Sequence, residues 1–234
     1  MLSVENLVLR QGTFSLEASF DVPAGARVAV VGASGAGKST LLNAVAGFLM
    51  PVSGRVMWKG KDLTQQPPGA RPIAMLFQDN NLFPHLSVAQ NVGLGLHPGL
   101  RLSGAEQDKV ASALARVGLA GFEARKPAEL SGGQQSRVAL ARVLVQRRPL
   151  VLLDEPFSAL GPALKDEMLD LVRDVADEIG ATVLMISHDP EDARRFADLA
   201  MFVGDGVAHP PRAVEALFSD PPDALRTYLG SPNG

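Results

Sequence analysis

Cysteine is absent from this chain, and tryptophan and tyrosine occur once each. Without a thiol, neither a disulfide framework nor a thiolate metal site can form. No apolar run approaches the roughly 20 residues needed to cross a bilayer. The opening MLSVENLVLRQG lacks the basic segment, apolar stretch and cleavage site of a secretory signal, so a place in the cytoplasm is expected. There is also no excess of positive charge: 22 Lys and Arg stand against 25 Asp and Glu, a formal net charge of −3, and the cations form no cluster. Such a surface neutralises few backbone phosphates, so nucleic acid is not an expected partner. What is present suits one α/β domain with inserted parts: 234 residues, 46% apolar and 20% charged.

Phe14, Leu16, Ala18 and Phe20 alternate with polar residues, which predicts a half-buried strand in an antiparallel region. A buried strand, Arg27 to Val31, then runs into a glycine-rich loop, and Lys38 to Ala46 reads as a helix closed by Gly47. Apolar strands at Ile73 to Phe77, Leu150 to Leu153, Thr182 to Ile186 and Leu199 to Val203 alternate with helical stretches, the pattern of a mostly parallel sheet. Between 87 and 147 the strand signal disappears, while Ser103 with Glu106 and Ser131 with Gln134 have capping-box spacing. A helical subdomain over 87–147 is therefore expected, inserted between core segments 1–86 and 148–234. Pro162 to Ile179 is a predicted helix, with proline at its start and Gly180 past its end. The tail after Asp205 reads as a turn and two short helices.

Gly32 to Ser39, GASGAGKS, fits GxxxxGK[ST], which a chain of this size would carry by chance roughly once in a hundred. The fold class that follows is α/β, a P-loop NTPase with a RecA-like, mostly parallel sheet, an N-terminal antiparallel β region and the helical insertion. Backbone N–H groups from Gly32, Ala33, Ser34, Gly35, Ala36 and Gly37 can turn inward around phosphates, and the next helix points its positive end at them. For ATP, Lys38 is expected at the β- and γ-phosphates, Ser39 at Mg²⁺ and Thr40 at the α-phosphate. The competing reading, a tight strand-to-helix turn, is disfavoured by the spacing. LVLLDEP places Asp154 and Glu155 at a strand end, where parallel sheets gather their ligand crevice. Acidic strand ends are common alone; with a phosphate loop upstream, Asp154 is assigned to Mg²⁺ and Glu155 to the attacking water. Gln78 and His188 also follow apolar strands. Singly each is an ordinary loop residue; in this company Gln78 would touch Mg²⁺ and water, and His188 the γ-phosphate and Glu155.

LSGGQ, Leu130 to Gln134, would arise by chance in only a few chains in about ten thousand. With Gly32 to Ser39, Gln78, Asp154, Glu155 and His188 in this order, the chain resembles an ABC transporter nucleotide-binding domain over nearly its full length. The resemblance implies an ATPase in which two copies pair head to tail. Ser131, Gly133 and Gln134 of one copy then act on the γ-phosphate bound by the other. It also implies an integral-membrane permease, a solute-binding protein acting through that permease, and a peripheral position on the cytoplasmic face of the bacterial inner membrane. Arg71 to Leu100, RPIAMLFQDNNLFPHLSVAQNVGLGLHPGL, is similar to the ATP-binding subunits of bacterial thiamine importers, as are PPGARP and VLLDEPFSALGPAL around it. Importers of iron, sulfate or polyamine are the alternatives, then soluble ABC-type ATPases, which usually carry coiled-coil insertions or a second nucleotide domain. LSGGQ argues against a P-loop kinase. Of Phe83, Pro84 and Leu86, two are expected in the core, and Phe83 or Leu86 at a groove for a permease helix.

The chain departs from the family's pattern in three places. SALG, ending at Gly161, stands where SALD is usual, so the carboxylate that helps link the two sites is missing. No adenine-stacking aromatic is evident among Arg10, Gln11 and Phe14, with Phe14 expected in the core and the base resting on an arginine stem or on little at all. Gln135 and Ser136 replace the usual Arg and Gln, while Arg137 keeps a basic group.

Overall fold

A computed structural model describes residues 1–158 and 160–230; Ala159 of the SALG run and residues 231–234 lie outside the described residues. Its strands are β1 (Leu2–Gln11), β2 (Phe14–Val22), β3 (Arg27–Val31), β4 (Ser53–Trp58), β5 (Lys61–Asp62), β6 (Ile73–Leu76), β7 (Leu150–Asp154), β8 (Thr182–Ile186), β9 (Leu199–Gly204), β10 (Val207–Ala208) and β11 (Arg212–Ala213). They join one sheet in the order β5-β4-β1-β2-β10-β9-β3-β8-β7-β6, with β11 beside β9. The run β9-β3-β8-β7-β6 is parallel throughout. The run β5-β4-β1-β2 is antiparallel, and β10 joins the halves by pairing parallel to β2 and antiparallel to β9.

Alternation along the parallel strands sends side chains to two cores. Val28, Val30, Leu150, Leu152, Leu184 and Ile186 face a core shared with Leu41, Leu42 and Val45 of helix α1 (Lys38–Ala46) and with Leu9, Leu16 and Phe20 of the antiparallel strands. Ala29, Val31, Val151, Leu153, Val183 and Met185 face the other. There they meet α3 (Gly104–Arg116), α4 (Gly132–Leu144), α5 (Pro162–Ile179) and α6 (Pro190–Phe196) through Leu114, Val138, Leu169 and Phe196. Helix α1 is thus held between the two halves of the sheet, which fixes the loop that precedes it.

Helix α2 (Val88–Gly93), α3 and α4 each open with a reciprocal serine capping box: Ser87 with Gln90, Ser103 with Glu106, and Ser131 with Gln134. Each cap contributes about 1 kcal/mol by satisfying N–H groups with no partner inside the helix. The tail departs from its sequence reading. The short strands β10 and β11 precede α7 (Val214–Ser219) and α8 (Asp223–Gly230), because the chain must pair with β2 and β9 to close the sheet. Strand β1 was hidden by a change of phase: Leu2 and Val4 are buried, then Leu7 and Leu9, with a register shift between Val4 and Leu7 where Asn6 takes φ 46°. The bulge spoils the two-residue alternation that would have revealed the strand.

Arg71, 1% exposed, closes the end of α1. Its guanidinium donates to the carbonyls of Ala44 (3.0 Å), Val45 (2.7 Å), Thr64 (2.9 Å) and Gln66 (2.9 Å). The first two are carbonyls in the last turn of α1, where a cation is favoured. Arg71→Met is expected to lower unfolding free energy by about 3 kcal/mol, because several buried acceptors lose a charged donor. Arg55→Ala, which removes an exposed pair with Glu5, is expected to cost under about 0.5 kcal/mol. Urea denaturation of both variants checks this, and equal losses would refute the distinction.

Candidate active site

Strand β3 delivers the chain to the glycine loop at the carboxyl edge of the parallel sheet. Two glycines there have no substitute. At Gly32, with φ 150°, a Cβ would lie 2.1 Å from the Val203 carbonyl oxygen. At Gly37, with φ 102°, it would lie 2.5 Å from the Phe14 ring. Gly37 is also the N-cap of α1, whose first turn carries no acidic side chain, so its free N–H groups are open to an anion. Lys38 is buried and its Nζ donates to the carbonyls of Gly32 and Ala33, both at 2.8 Å. Burial lowers its pKa, opposed by the carboxylates of Glu155 and Asp154.

Ser39 Oγ donates to Asp154 Oδ1 at 3.0 Å, joining the start of α1 to the end of β7. Asp154 is 6% exposed, and burial raises its pKa; the Ser39 hydrogen bond opposes the rise and the Glu155 charge adds to it. A hydroxyl beside a carboxylate short of positive charge is a donor set that fits Mg²⁺, which takes one or two carboxylates and completes its shell with phosphates and water. No group of three or more His, Cys, Asp or Glu among the described residues could cage a metal alone, so the fit is to an ion shared with a phosphate ligand. Glu155 follows at φ 45°, a left-handed conformation that costs a non-glycine residue about 1–3 kcal/mol and is concentrated at functional sites. Its Oε2 lies 3.7 Å from His188 Nδ1.

Ser34, Gly35, Gly37, Lys38, Ser39, Thr40, Gln78 and Glu155 line one open cleft of about 320 Å³, together with Gln11 and Phe14. That is the scale of a small-molecule site. Glu155 also lines an adjoining pocket with Lys165, Ser187, His188 and Asp192. The structure therefore gathers Lys38, Ser39, Thr40, Gln78, Asp154, Glu155 and His188 around the loop, whereas Ser131, Gly133 and Gln134 do not line the cleft. Those three sit at the start of α4, with Ser131 exposed and capping the helix.

One reading of the sequence needs extending and one needs correction. Phe14 packs against the core as expected, but it is half-buried and its ring also borders the cleft against Gly37. Of Phe83, Pro84 and Leu86, none is buried: Phe83 and Pro84 are exposed and Leu86 is intermediate. This loop needs no side chain in the core because Asn91, fully buried, accepts from Phe83 N and donates to the carbonyls of Phe83, Leu86 and Ser87. One link was missed. Asn80 and Asn81 take φ 57° and 46°; Arg142 of α4 donates to both carbonyls at 2.8 Å, and Asn80 Nδ2 donates to Ser136 Oγ at 3.1 Å. The segment after Gln78 is thus tied to the LSGGQ helix. An Asn pair is the sequence signal for left-handed backbone. Arg137 turns elsewhere, to the Val117 carbonyl.

The sequence profile of the ABC transporter family matches residues 16–158. The chain belongs to the ABC transporter family. It is 59% identical over 231 residues, 99% of this chain and 100% of the relative, to the thiamine import ATP-binding protein ThiQ of Ruegeria sp.. To the protein of that name from Cereibacter sphaeroides it is 58% identical over 230 residues, 98% of this chain and 100% of the relative. A dimeric ATP-binding cassette in a post-hydrolysis state, bound to ADP and Pi, superimposes with TM-score 0.82 at 29% identity, covering 92% of this chain and 99% of that one. A dimeric bacterial ABC transporter cassette gives the same values.

In this ABC cassette the buried carboxylate of Asp154 makes stability depend on pH. Its folded pKa lies above the unfolded value. The penalty is therefore absent below the unfolded pKa and fully present once pH has risen past the folded one. Asp154→Asn keeps a partner for Ser39 and removes the charge, so without nucleotide it is expected to melt a few degrees higher at neutral pH, with a flatter pH profile. Scanning calorimetry across pH checks this, and a variant that melts lower at neutral pH would refute it.

Proposed function

We propose that this chain is the ATP-hydrolysing subunit of a thiamine importer and that two copies hydrolyse ATP across a head-to-tail interface. The observation that carries the reading is a divided site. The phosphate loop, the Ser39–Asp154 pair and Glu155 with His188 converge on one edge of the sheet. The capped LSGGQ helix start, another ready anion site, lies outside that cleft. A second copy supplies what the first lacks, so Ser131, Gly133 and Gln134 act in trans on the γ-phosphate. The identity to thiamine import proteins, sustained over nearly the whole chain, supports thiamine over iron, sulfate or polyamine.

Lys38 and the loop N–H groups bind the β- and γ-phosphates of ATP, Thr40 the α-phosphate, and the half-buried face of Phe14 offers the base an apolar surface. Ser39, Asp154 and Gln78 would hold Mg²⁺, which when bound neutralises charge on the β- and γ-phosphates. Glu155 accepts the proton of the attacking water. His188 holds the γ-phosphate and Glu155 in line. Lys38 is the one cationic side chain lining the cleft, set against three phosphates, so a bound cation would supply the rest of the neutralisation.

The helical segment 87–147 acts as a subdomain that carries LSGGQ toward the partner's phosphate. The link from Asn80 and Asn81 to Arg142 and Ser136 makes the Gln78 segment follow it. That segment leads to Phe83, while Phe48, Met50 and Val52 follow α1; all four are exposed, and Phe48 meets Phe77 edge-on. A permease helix that docks on this apolar surface places the subunit on the cytoplasmic face of the inner membrane; no helix among the described residues is long and apolar enough to cross it. The solute-binding protein acts through the permease. Gly161, the N-cap of α5, has ordinary extended backbone and open space around its Cα, so an aspartate would fit there. Communication between the two sites runs without that carboxylate.

Glu155→Gln is expected to bind ATP, to lose at least about 100-fold in turnover and to accumulate as an ATP-bound dimer, because the proton acceptor alone is gone. Phosphate release and size-exclusion chromatography check this; turnover like the parent would refute the assignment. Phe83→Ser with Leu86→Ser is expected to leave ATP binding intact and to uncouple hydrolysis from uptake. In proteoliposomes with the permease, stimulation of the ATPase by thiamine-loaded binding protein and no other solute tests the substrate and this coupling together.

A further inference from the structure

Tyr228 is the single tyrosine of the chain and lies on α8. Its hydroxyl donates to the main-chain carbonyl of His188 at 2.8 Å. Helix α8 is firmly seated: Leu225 is fully buried, and Tyr228 and Leu229 pack on the same core. From α5, Lys165 Nζ pairs with Asp189 at 2.8 Å and Asp192 at 2.6 Å, while Ser187 Oγ donates to Asp192 at 2.8 Å. The residues around His188 are therefore gripped by two helices. The imidazole is not, because its 3.7 Å approach to Glu155 is too long for a hydrogen bond and its side chain is 61% exposed. Its position is set through its backbone.

We propose that Tyr228 is a positioning residue for ATP hydrolysis, latching the last helix to the His188 carbonyl and so aiming the His188 side chain at the γ-phosphate. The latch rests on the assignment of His188 to that phosphate. Burial, then the nearby carboxylates of Glu155 and Asp189, push the phenol above its ordinary pKa, so it remains a neutral donor. Lys165 complements it by fixing the following turn to α5, whose N-cap is Gly161. The His188 segment is thus braced against both α5 and α8.

Tyr228→Phe keeps the ring and deletes only the donor. In the full chain assembled with its permease, its kcat is expected to fall about five-fold, the worth of one net hydrogen bond. KM for ATP is expected to stay within about two-fold, since phosphate binding by the glycine loop is untouched. A parent-like kcat in Tyr228→Phe alongside an inactive His188→Ala would overturn the latch and leave the γ-phosphate assignment standing. A fully active His188→Ala would overturn that assignment, and the latch with it. Because Tyr228 is the sole tyrosine, ultraviolet titration of the isolated full chain reads its ionisation alone. Its midpoint is expected above that of free tyrosine and is expected to move when ATP and Mg²⁺ are added to Glu155→Gln. A phenol that titrates like free tyrosine and ignores nucleotide overturns the latch even if Tyr228→Phe fails to fold.

Discussion

The hydrogen bond from Ser39 to Asp154 joins parts of the molecule 115 residues apart. It couples the first residues of α1 to the last residue of β7, two strands away across the sheet from β3. For the bond to form, β3, β8 and β7 must lie in parallel register, α1 must be held between the sheet halves, and the glycine loop must return the chain at the right height. Each condition has a physical origin in the sequence. Alternating valines and leucines feed two cores, Arg71 closes the far end of α1, and Gly32 lets the loop pass where a Cβ would lie 2.1 Å from the Val203 carbonyl oxygen. The resulting carboxylate is buried with less positive charge than it needs, an energetically unfavourable state that a cation placed beside it would relieve.

Much of this was legible from residues alone, and the reasons differ between elements. Helix α1 was readable to its ends because Gly37 and Gly47 both take left-handed backbone at its boundaries. The parallel strands were readable because burial on both faces makes them continuous apolar runs. Strand β1 was not, since the Asn6 bulge shifts its phase, and neither were β10 and β11, two-residue pairings that only the assembled sheet defines. In the cleft, the charged residues announced themselves by motif and strand end. Phe14 did not, because period-two alternation assigns a side chain to a face of the sheet and cannot say that the face opens onto the phosphate loop. The expectation that two of Phe83, Pro84 and Leu86 sit in the core failed for a related reason: an apolar loop residue suggests burial until Asn91 is seen satisfying the loop's backbone without it.

Strained backbone and an incomplete site meet at the same edge. Glu155 holds a left-handed φ directly after a fully buried strand, and Asn80 and Asn81 hold two more beside α4. None of these could persist in a loosely packed chain; β7 is clamped between β6 and β8, and the Asn pair is held by Arg142. Rigid cores on both faces of the sheet therefore support conformations that are costly locally and useful chemically. The LSGGQ helix start, by contrast, is relaxed: its cap is satisfied internally and faces solvent.

That contrast bears on why function belongs to a pair of chains. One copy presents Lys38, a helix N-terminus, the buried Asp154 and the half-buried Glu155 at a cleft that is open on one side. The relaxed helix start is a second positive pole with nothing to neutralise in its own chain. In the proposed head-to-tail pair, electrostatics would favour closure once a polyanion is bound and favour it less when the terminal phosphate departs. The ties from Asn80 and Asn81 to α4, and from the His188 segment to α5 and α8, connect that change of charge to helices rather than to isolated side chains. A small change at one phosphate can thereby be felt at the apolar surface around Phe48 and Phe83, because the elements between them are packed cores that shift as units.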